Sequence, residues 1–470
     1  MQTCQSNLAN WTRYLFLCFL LLWGTLPGTA QHAGPGSKDP VLLAGVSRVD
    51  ITPALPIWLS GYSSREKPAS GIAQALWAKA LVIERSPAER VIIVTADVLG
   101  LSREIIEDVC HSVMEKYNIP RSQLIFNSSH THTGPVIWPC LDVVYELEPA
   151  DQQRVSAYSQ QLTGKLIAVI DSAMSARVPA SLSSGHGQVD FAINRRNQIH
   201  PNGPVDHDVP VLRVASPEGK ILAVLFGYAC HNTTVVDEYH QINGDYAGYA
   251  QLEIEKNNPG AIALFMMGCA GDQNPSPRGT LKMAADHGYN LGQEVQRVLQ
   301  ARMEPVRAPI RTAYQRIPLT FRPFDLAMYQ RDITGTNKYL QRRAKLMLQA
   351  YNKGWQVNQL SYPIQAVRFN RDLTIIALGD EVVVDYSLSF KKRFASENLY
   401  VAGYCNEVEC YIPSRRILGE GGYEADDSMI YYGFPGPFAE DVENRITQGV
   451  LQVLKVIGIP ARPGVKAAAH

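Results

Sequence analysis

Residues 124–135 read LIFNSSHTHTGP, and this stretch is the strongest indication of the fold. The apolar start of the stretch predicts a short buried strand. The strand leads directly into His130 and His132, which are followed by glycine and proline, two residues typical of loops. Reactive side chains on a loop that a rigid sheet holds are a common arrangement in enzymes. The stretch therefore predicts a sheet whose strand end carries chemistry.

Similar apolar runs recur along the chain and alternate with stretches of helical spacing. Because strands and helices both occur over the whole length, we expect an α/β fold: a single large layered domain with β-sheets flanked by helices. The predicted strands are 80–83, 91–95, 124–127, 222–226, 262–266 and 374–378, and the predicted helices are 103–117, 152–176, 246–257, 284–302, 337–351 and 439–457.

The two ends of the chain differ from this body. Residues 1–30 combine one charge, an apolar run and small residues before a cleavage point, which predicts a signal peptide and a secreted or periplasmic protein. The run is too short to span a bilayer, so we expect no stable transmembrane anchor after cleavage, although an uncleaved anchor stays open. Residues 31–41 predict a flexible lead-in and 459–470 a C-terminal tail, which leaves 42–458 as the domain.

Composition excludes some classes of partner and site. The 470 residues contain 44 Lys+Arg and 44 Asp+Glu. Nucleic-acid-binding proteins usually carry a basic excess, so this balance argues against a nucleic-acid partner. Eight cysteines are too few for a disulfide scaffold, and no C-x-x-C pair suggests a cysteine metal site. The oligomeric state of the protein stays open. So does the disulfide pairing of the six cysteines that follow the predicted signal peptide: Cys110, Cys140, Cys230, Cys269, Cys405 and Cys410.

Histidine and carboxylate side chains also follow other predicted strands. His231 comes directly after one strand, and Asp380 and Glu381 interrupt a long apolar segment. A buried carboxylate is costly unless it is paired or binds a metal, and imidazoles and carboxylates are zinc ligands. From the residues alone the alternatives are a hydrogen-bonded core histidine, a surface histidine pair at the first strand and an exposed Asp-Glu turn.

Two further segments carry groups suited to catalysis. Residues 401–423 read VAGYCNEVECYIPSRRILGEGGY and include several tyrosines, which can donate hydrogen bonds or, near a cation, bind it as phenolates. Residues 191–197 read FAINRRN, and the first arginine, Arg195, suits contact with a developing anion. Packed tyrosines and a solvated charge pair are the alternatives.

Together these segments resemble the neutral ceramidase family, the neutral/alkaline non-lysosomal ceramidases. The resemblance covers about residues 42–458, and it rests on the order and number of the motifs. In chain order these are AGVSRVDITP (44–53), GYSSREKPASGI (61–72), AKALVIE (78–84), TADVLG (95–100), SHTHTGP (129–135), NRR (194–196), AGDQNP (270–275), the GDE turn (379–381) and GYCNEVECYIPSRR (403–416).

The resemblance implies a zinc hydrolase that cleaves the amide of ceramide, and so a small-molecule or lipid substrate. It implies that Zn²⁺ is held by His130, His231, Glu381 and Tyr411, with Asp380 as a second alignment for the carboxylate. Such a set of two nitrogens and two oxygens suits zinc. Groups at the reaction centre would be His132, Arg195 and Tyr423, which stabilise the oxyanion, with His132 also protonating the leaving group.

The chain departs from the family pattern in two places. The family has serine in a G-D-x-S-P-N segment, where this chain has Asn274, and Ser276 is displaced by two residues. We also expect the family's C-terminal immunoglobulin-like domain to be absent. Three hypotheses follow: a secreted amidase acting on ceramide or another N-acyl substrate, a metal hydrolase acting on a non-lipid substrate (a glycan-derived amide, ester or glycoside), and a non-catalytic binding module.

Overall fold

Three β-sheets share one apolar core in the computed structural model, which describes residues 41–139, 141 and 143–460. Side chains alternate across a strand, so one face of each sheet points to the shared core and the other to helices. Leu81 and Ile93, for example, lie in the shared core, whereas Val82 and Val94 pack against helices. The predicted α/β class, with sheets flanked by helices, is confirmed.

The elements contain every strand and helix that the sequence predicted, with bounds shifted by a few residues at most. The strands are β1 Leu43–Asp50, β2 Gly71–Ile72, β3 Trp77–Ser86, β4 Glu89–Ala96, β5 Leu124–Ser128, β6 Val178–Pro179, β7 Ser181–Gln188, β8 Ala192–Asn194, β9 Asp208–Ala215, β10 Ile221–Phe226, β11 Gln241–Ile242, β12 Ile262–Phe265, β13 Gln273–Pro275, β14 Glu304–Val306, β15 Ile310–Thr320, β16 Gln359–Phe369, β17 Leu373–Leu378, β18 Glu381–Val382, β19 Leu399–Ala402 and β20 Tyr411–Ile412. The helices are α1 Arg103–Tyr117, α2 Pro149–Ser175, α3 Asp245–Asn257, α4 Leu281–Gln300, α5 Leu326–Asp332, α6 Lys338–Asn352, α7 Val384–Arg393, α8 Arg415–Glu420, α9 Ser428–Tyr431 and α10 Val442–Val456.

Each large sheet contains one parallel pair of strands. The orders are β5-β4-β3-β1-β6, β12-β10-β9-β7-β14 and β15-β16-β17-β19, and the parallel pairs are β4 with β5, β10 with β12 and β17 with β19. Helices α1 and α2 cover the first sheet, α3 and α4 the second, and α7 and α10 the third. Parallel strands end at the same edge of a sheet, where ligands commonly bind.

The loops that follow these parallel strands meet each other. Isolated backbone bridges join Asn127 to Cys405 and Thr131 to Asn232, so the loop after the first sheet contacts loops from both other sheets. The predicted chemistry-bearing segments follow these parallel strands, except the one with Arg195, which follows β8. The fold therefore brings together side chains that are up to 281 positions apart, from His130 to Tyr411.

Several sequence predictions concern residues that the structure does not describe. The predicted signal peptide lies outside the described residues, as do most of the lead-in and of the tail. Five of the six cysteines are buried free thiols, and Cys140 lies outside the described residues. None of the described helices is long and apolar enough to cross a membrane.

A buried lysine links the first sheet to the second, and it gives the first testable prediction. Lys79 Nζ lies 2.9 Å from Glu255 Oε1 and donates to the Ala263 carbonyl at 2.6 Å, and burial lowers its pKa. Replacing Glu255 with leucine removes the carboxylate that contacts this buried ammonium. We expect the free energy of unfolding in urea to fall by about 3–5 kcal/mol.

The matched variant is Lys79→Met. Glu255 keeps Arg48 as a partner at 2.7 Å, and the buried Asp97, which loses the attraction of Lys79, keeps hydrogen bonds from the Trp77 N–H at 2.9 Å and from Gln251 at 3.1 Å. Methionine also has a similar length and prefers an apolar site. We expect this variant to lose clearly less stability than Glu255→Leu, and equal losses would contradict the account.

Candidate metal centre

Three buried histidines lie together where the loops meet. His130 and His132 follow β5, and His231 follows β10. One ring nitrogen of each histidine lies within 4.8 Å of those of the other two, and the Nε2 atoms of His130 and His132 are 3.2 Å apart. The backbone of His130 has a φ of 60°, a left-handed conformation that turns the chain sharply at the strand end. These histidines could hold a metal ion.

A carboxylate and a phenol complete the cluster. Glu381 Oε2 lies 3.1 Å from His130 Nε2 and 3.2 Å from His231 Nε2. Tyr411 Oη lies 3.1 Å from His231 Nε2, and Glu381 and Tyr411 face each other in the parallel pair of β18 and β20. Zinc bonds of about 2.0–2.1 Å place tetrahedral ligands roughly 3.3 Å apart. These three distances between donors therefore fit a small metal ion such as Zn²⁺.

The backbone fixes the orientation of two of the histidine rings. His130 Nδ1 donates to the Leu99 carbonyl at 2.6 Å, and His231 Nδ1 donates to the Ala270 carbonyl at 2.7 Å. A carbonyl oxygen only accepts, so each proton sits on Nδ1 and each Nε2 lone pair faces the cluster. Burial, together with Arg195, lowers the pKa of His231 to about 4, which favours the neutral imidazole that binds metals.

The structure also separates the two candidate carboxylates. Asp380 adopts a φ of 61°, and its Oδ1 accepts the backbone N–H of Glu409 at 2.6 Å. Glu381 is the one that faces the histidines. Its second oxygen, Oε1, accepts a hydrogen bond from Tyr432, and Tyr404 Oη lies 3.4 Å from Oε2. Tyr404 belongs to the segment 401–423 that the sequence singled out for its tyrosines, whereas Tyr432 was missed, since nothing local marks it as the partner of a carboxylate.

The Tyr432 contact gives a second prediction. Groups that hold a metal ligand in place typically contribute 10–100-fold to metal affinity. We therefore expect Tyr432→Phe to weaken zinc binding by about 10–100-fold, as measured by competition with a chromogenic chelator. The control is Tyr158→Phe, which removes a buried hydroxyl that donates to the Ile51 carbonyl at 2.7 Å, remote from the cluster. Equal zinc affinity in the two variants would rule out this role.

Two of the predicted reaction-centre groups line a cavity of about 210 Å³ beside the cluster. His132 and Tyr423 are among its lining residues, with His130, Glu381 and Tyr411. His132 Nδ1 is buried and has no hydrogen-bond partner among the described residues. The cavity therefore offers a reaction chamber that opens directly onto the candidate ligands.

Arg195 lies against the same cluster. Its Nε donates to Glu424 Oε1 at 2.6 Å, and its guanidinium sits 5.3 Å from the ring centre of Tyr411 and 5.4 Å from that of Tyr423. Burial lowers the pKa of Arg195, but Tyr411 and Glu424 outweigh it and hold that pKa well above its ordinary range. Its Nη2 is buried and has no partner among the described residues. A fixed cation with one free donor suits a developing negative charge.

Asn274 lies further from this group. It sits on β13, and its Oδ1 is 3.4 Å from Thr233 Oγ1. The residues that line the cavity do not include it. Its neighbour Gln273 accepts the backbone N–H of His231 at 3.0 Å, so this strand positions a candidate ligand through the backbone. Asn274 stands where the family has serine, which makes it a predicted catalytic residue, and that role stays a prediction.

Comparison with known families identifies the chain. The sequence profile of the family described as neutral/alkaline non-lysosomal ceramidase, N-terminal, matches residues 42–290, just over half of the chain. The chain belongs to this family. The resemblance drawn from the motifs is thereby confirmed. The profile includes His130, His132, Arg195, His231 and Asn274, whereas Glu381, Tyr411 and Tyr423 follow it in the chain.

Curated neutral ceramidases match about half of the chain. The enzyme of Pseudomonas aeruginosa is 25% identical over 248 residues, which are 49% of this chain and 37% of that protein. The Drosophila melanogaster protein is 26% identical over 260 residues, 50% of this chain and 36% of the relative. The matched region thus spans little more than a third of each relative. These homologues are hydrolases.

A solved structure extends the likeness of the fold. The crystal structure of neutral ceramidase from Pseudomonas aeruginosa superposes with a TM-score of 0.72 at 18% identity, covering 92% of this chain and 77% of that one. The structure titled "Ceramidase complexed with C2" gives a TM-score of 0.73, with 92% and 78% covered. The fold therefore resembles that of the ceramidases beyond the profile match, through the segments with Glu381 and Tyr411.

Proposed function

We propose that this protein is a zinc-dependent hydrolase that cleaves the amide bond of an N-acyl substrate, a class that includes ceramide. The observation that carries the proposal is the buried convergence of His130, His231, Glu381 and Tyr411. Membership of the ceramidase family supports the reaction class. Two imidazoles, a carboxylate and a phenol form a donor set that suits zinc.

Zinc in such a site activates a water molecule by lowering its pKa to about 7, and it polarises the acyl carbonyl. In the reaction, the water oxygen bonds to the acyl carbon, the C–N bond breaks and the amine nitrogen takes up a proton. The products are a carboxylic acid and a free amine. The chain's own residues bind the substrate, stabilise the charge and move this proton.

The groups around the cavity fit these tasks. Arg195 Nη2, a buried donor with no partner among the described residues, would stabilise the oxygen that becomes negative. Glu424 fixes the guanidinium that carries this donor. Tyr423 would orient the carbonyl from the other side, and His132 would pass the proton to the leaving amine. Asn274 has no nucleophilic hydroxyl where the family has serine, which favours attack by water.

The same replacement keeps a second candidate open. A metal hydrolase on this scaffold could act on a non-lipid amide, ester or glycoside, and Asn274 is the observation that favours it. We also propose that the protein is exported, on the strength of residues 1–30. Edman sequencing of protein recovered from the periplasm or the medium tests export, with a new N-terminus near residue 31 expected and an intact Met1 contradicting it.

A zinc-dependence assay tests the function. Purified protein, with and without dipicolinate, is incubated with a panel of N-acyl substrates, and released acid and amine are followed by mass spectrometry. We expect turnover of at least one amide that dipicolinate abolishes and added zinc restores. The variant Arg195→Ala should lower kcat by roughly 10²–10³-fold with zinc content unchanged. Turnover that is insensitive to the chelator, or no amide turnover at full zinc content, would overturn the proposal.

A further inference from the structure

The cavity beside the cluster is small. Its volume is about 210 Å³. Clefts that enclose drug-sized ligands are typically about 300–1,000 Å³. A lipid with two long chains cannot be enclosed in this space. What fits is an amide group, a short acyl group and the nearest atoms of the amine.

The side of the cavity formed by tyrosines and a serine is rich in hydroxyl groups. Ser63, Tyr423 and Tyr431 line it, and each carries a hydroxyl group. The side chain of Tyr423 is 41% exposed, and its ring centre lies 6.3 Å from that of Tyr431. Hydroxyls beside aromatic faces suit a hydroxylated ring, whose C–H face packs on an aromatic ring while its hydroxyls form hydrogen bonds.

Helix α6 holds this side in place. Tyr339 Oη donates to the Ser63 carbonyl at 2.8 Å, and the rings of Tyr339 and Tyr431 are 5.2 Å apart. Arg342 Nη1 donates to the carbonyl of Val144, another lining residue, at 3.1 Å. Direct contacts therefore hold the hydroxyl-rich side of the cavity in place, as a preformed binding site requires.

Another side of the cavity is apolar, and little space lies behind it. Leu99 and Leu141 line the main cavity there and also a space of only about 10 Å³ behind it. Ile137, Val408 and Tyr432 wall that space, and a separate cavity of about 200 Å³ begins beyond Leu141, Val408 and Tyr432. An acyl chain longer than a few carbons would meet this wall.

We propose that the substrate is a short-chain N-acyl amide of a hydroxylated, ring-sized amine, such as an N-acetylated amino sugar. The acyl group lies towards Leu99 and Leu141, and the hydroxylated ring lies against Tyr423 and Tyr431. Water adds to the acetyl carbon, the C–N bond breaks, and acetate and the protonated amine leave. This inference rests on the proposed function and names its substrate.

A chain-length series tests the inference on the zinc-loaded protein. The probes are the β-1,4-linked dimer of N-acetylglucosamine, its N-hexanoyl and N-hexadecanoyl analogues, and N-hexadecanoylsphingosine in detergent micelles. We expect kcat/KM for the acetyl probe to exceed that for both hexadecanoyl probes by about 100-fold or more. A higher kcat/KM for either hexadecanoyl probe than for the acetyl probe would overturn the inference, but it would not contradict the proposed zinc-dependent amidase. No zinc-dependent turnover of any probe would overturn both.

Two variants sharpen the test. Val408→Ala thins the wall, so we expect the ratio of hexanoyl to acetyl kcat/KM to rise by about 10-fold. Val113→Ala, which truncates a fully buried valine on α1, controls for lost packing and should leave the ratio unchanged. Tyr431→Phe should raise KM for the acetyl dimer several-fold with little change in kcat. The assigned orientation would be contradicted if Val408→Ala kept the wild-type ratio of hexanoyl to acetyl kcat/KM and Tyr431→Phe kept the wild-type KM for the acetyl dimer.

Discussion

Replacing Glu381 with glutamine is expected to abolish stoichiometric zinc binding and to lower kcat/KM by roughly 10³-fold or more. The amide is nearly isosteric, but it removes the negative charge that lies 3.1 Å from His130 Nε2 and 3.2 Å from His231 Nε2. A zinc site that loses its only carboxylate keeps two neutral nitrogens and a phenol whose pKa burial raises well above its ordinary range. Zinc per chain, measured by inductively coupled plasma mass spectrometry, is the readout.

The matched control is Glu407→Gln. Glu407 is as buried as Glu381, and it pairs with Arg103 at 3.1 Å and Arg316 at 3.0 Å rather than with the histidines. We expect this variant to lower the melting temperature and to keep one zinc per chain. Zinc retention by Glu381→Gln would show that Glu381 is not a ligand, and zinc loss by both variants would attribute the loss to damaged folding and contradict the expected specificity.

Replacing Gly61 with alanine is expected to lower kcat by about 100-fold while zinc binding is retained, because displacing a reactive group by about 1 Å has this cost. A Cβ on Gly61 would lie 2.4 Å from Nδ1 and 2.5 Å from Cγ of His132, so the imidazole must move. His132 is the proposed proton donor and not one of the four proposed ligands. Kinetics and zinc content of the same preparation separate the two roles.

The control for backbone strain is Gly219→Ala. Gly61 has a φ of 94° and Gly219 a φ of 87°, but a Cβ on Gly219 meets no atom within 4 Å. Both variants should therefore lose about 1–2 kcal/mol of stability from the left-handed backbone, and Gly61→Ala alone should lose activity. Zinc loss in Gly61→Ala would show that His132 belongs to the ligand set, and unchanged kcat would remove it from the reaction.

The elements that could be predicted are those whose pattern is local. The runs at 91–95 and 374–378 are buried on both faces, so they read as continuous apolar strands. The long antiparallel pair β15 and β16 was missed because polar residues recur along it and prolines interrupt it at Pro318 and Pro363. Its pairing depends on residues far apart in the chain, which no local pattern reveals.

The candidate site likewise has residues that the sequence predicted and contacts that only the structure reveals. His130, His231, Glu381 and Tyr411 were named from motifs that resemble those of the family, and the structure brings their donor atoms together. The choice between Asp380 and Glu381 needed the backbone, since a left-handed φ at Asp380 turns its carboxylate towards Glu409. The contacts that hold the site were beyond sequence reasoning, because they are backbone carbonyls or tyrosines distant in the chain: Leu99, Ala270, Tyr404 and Tyr432.

The central claim is that loops from three sheets build one zinc site. Anomalous diffraction at the zinc absorption edge, from crystals grown with one equivalent of zinc, tests it most directly. The account predicts a single strong peak about 2.0–2.2 Å from His130 Nε2, His231 Nε2, a Glu381 oxygen and Tyr411 Oη. A peak bonded to other residues, or no peak at this cluster in crystals that contain zinc, would contradict it.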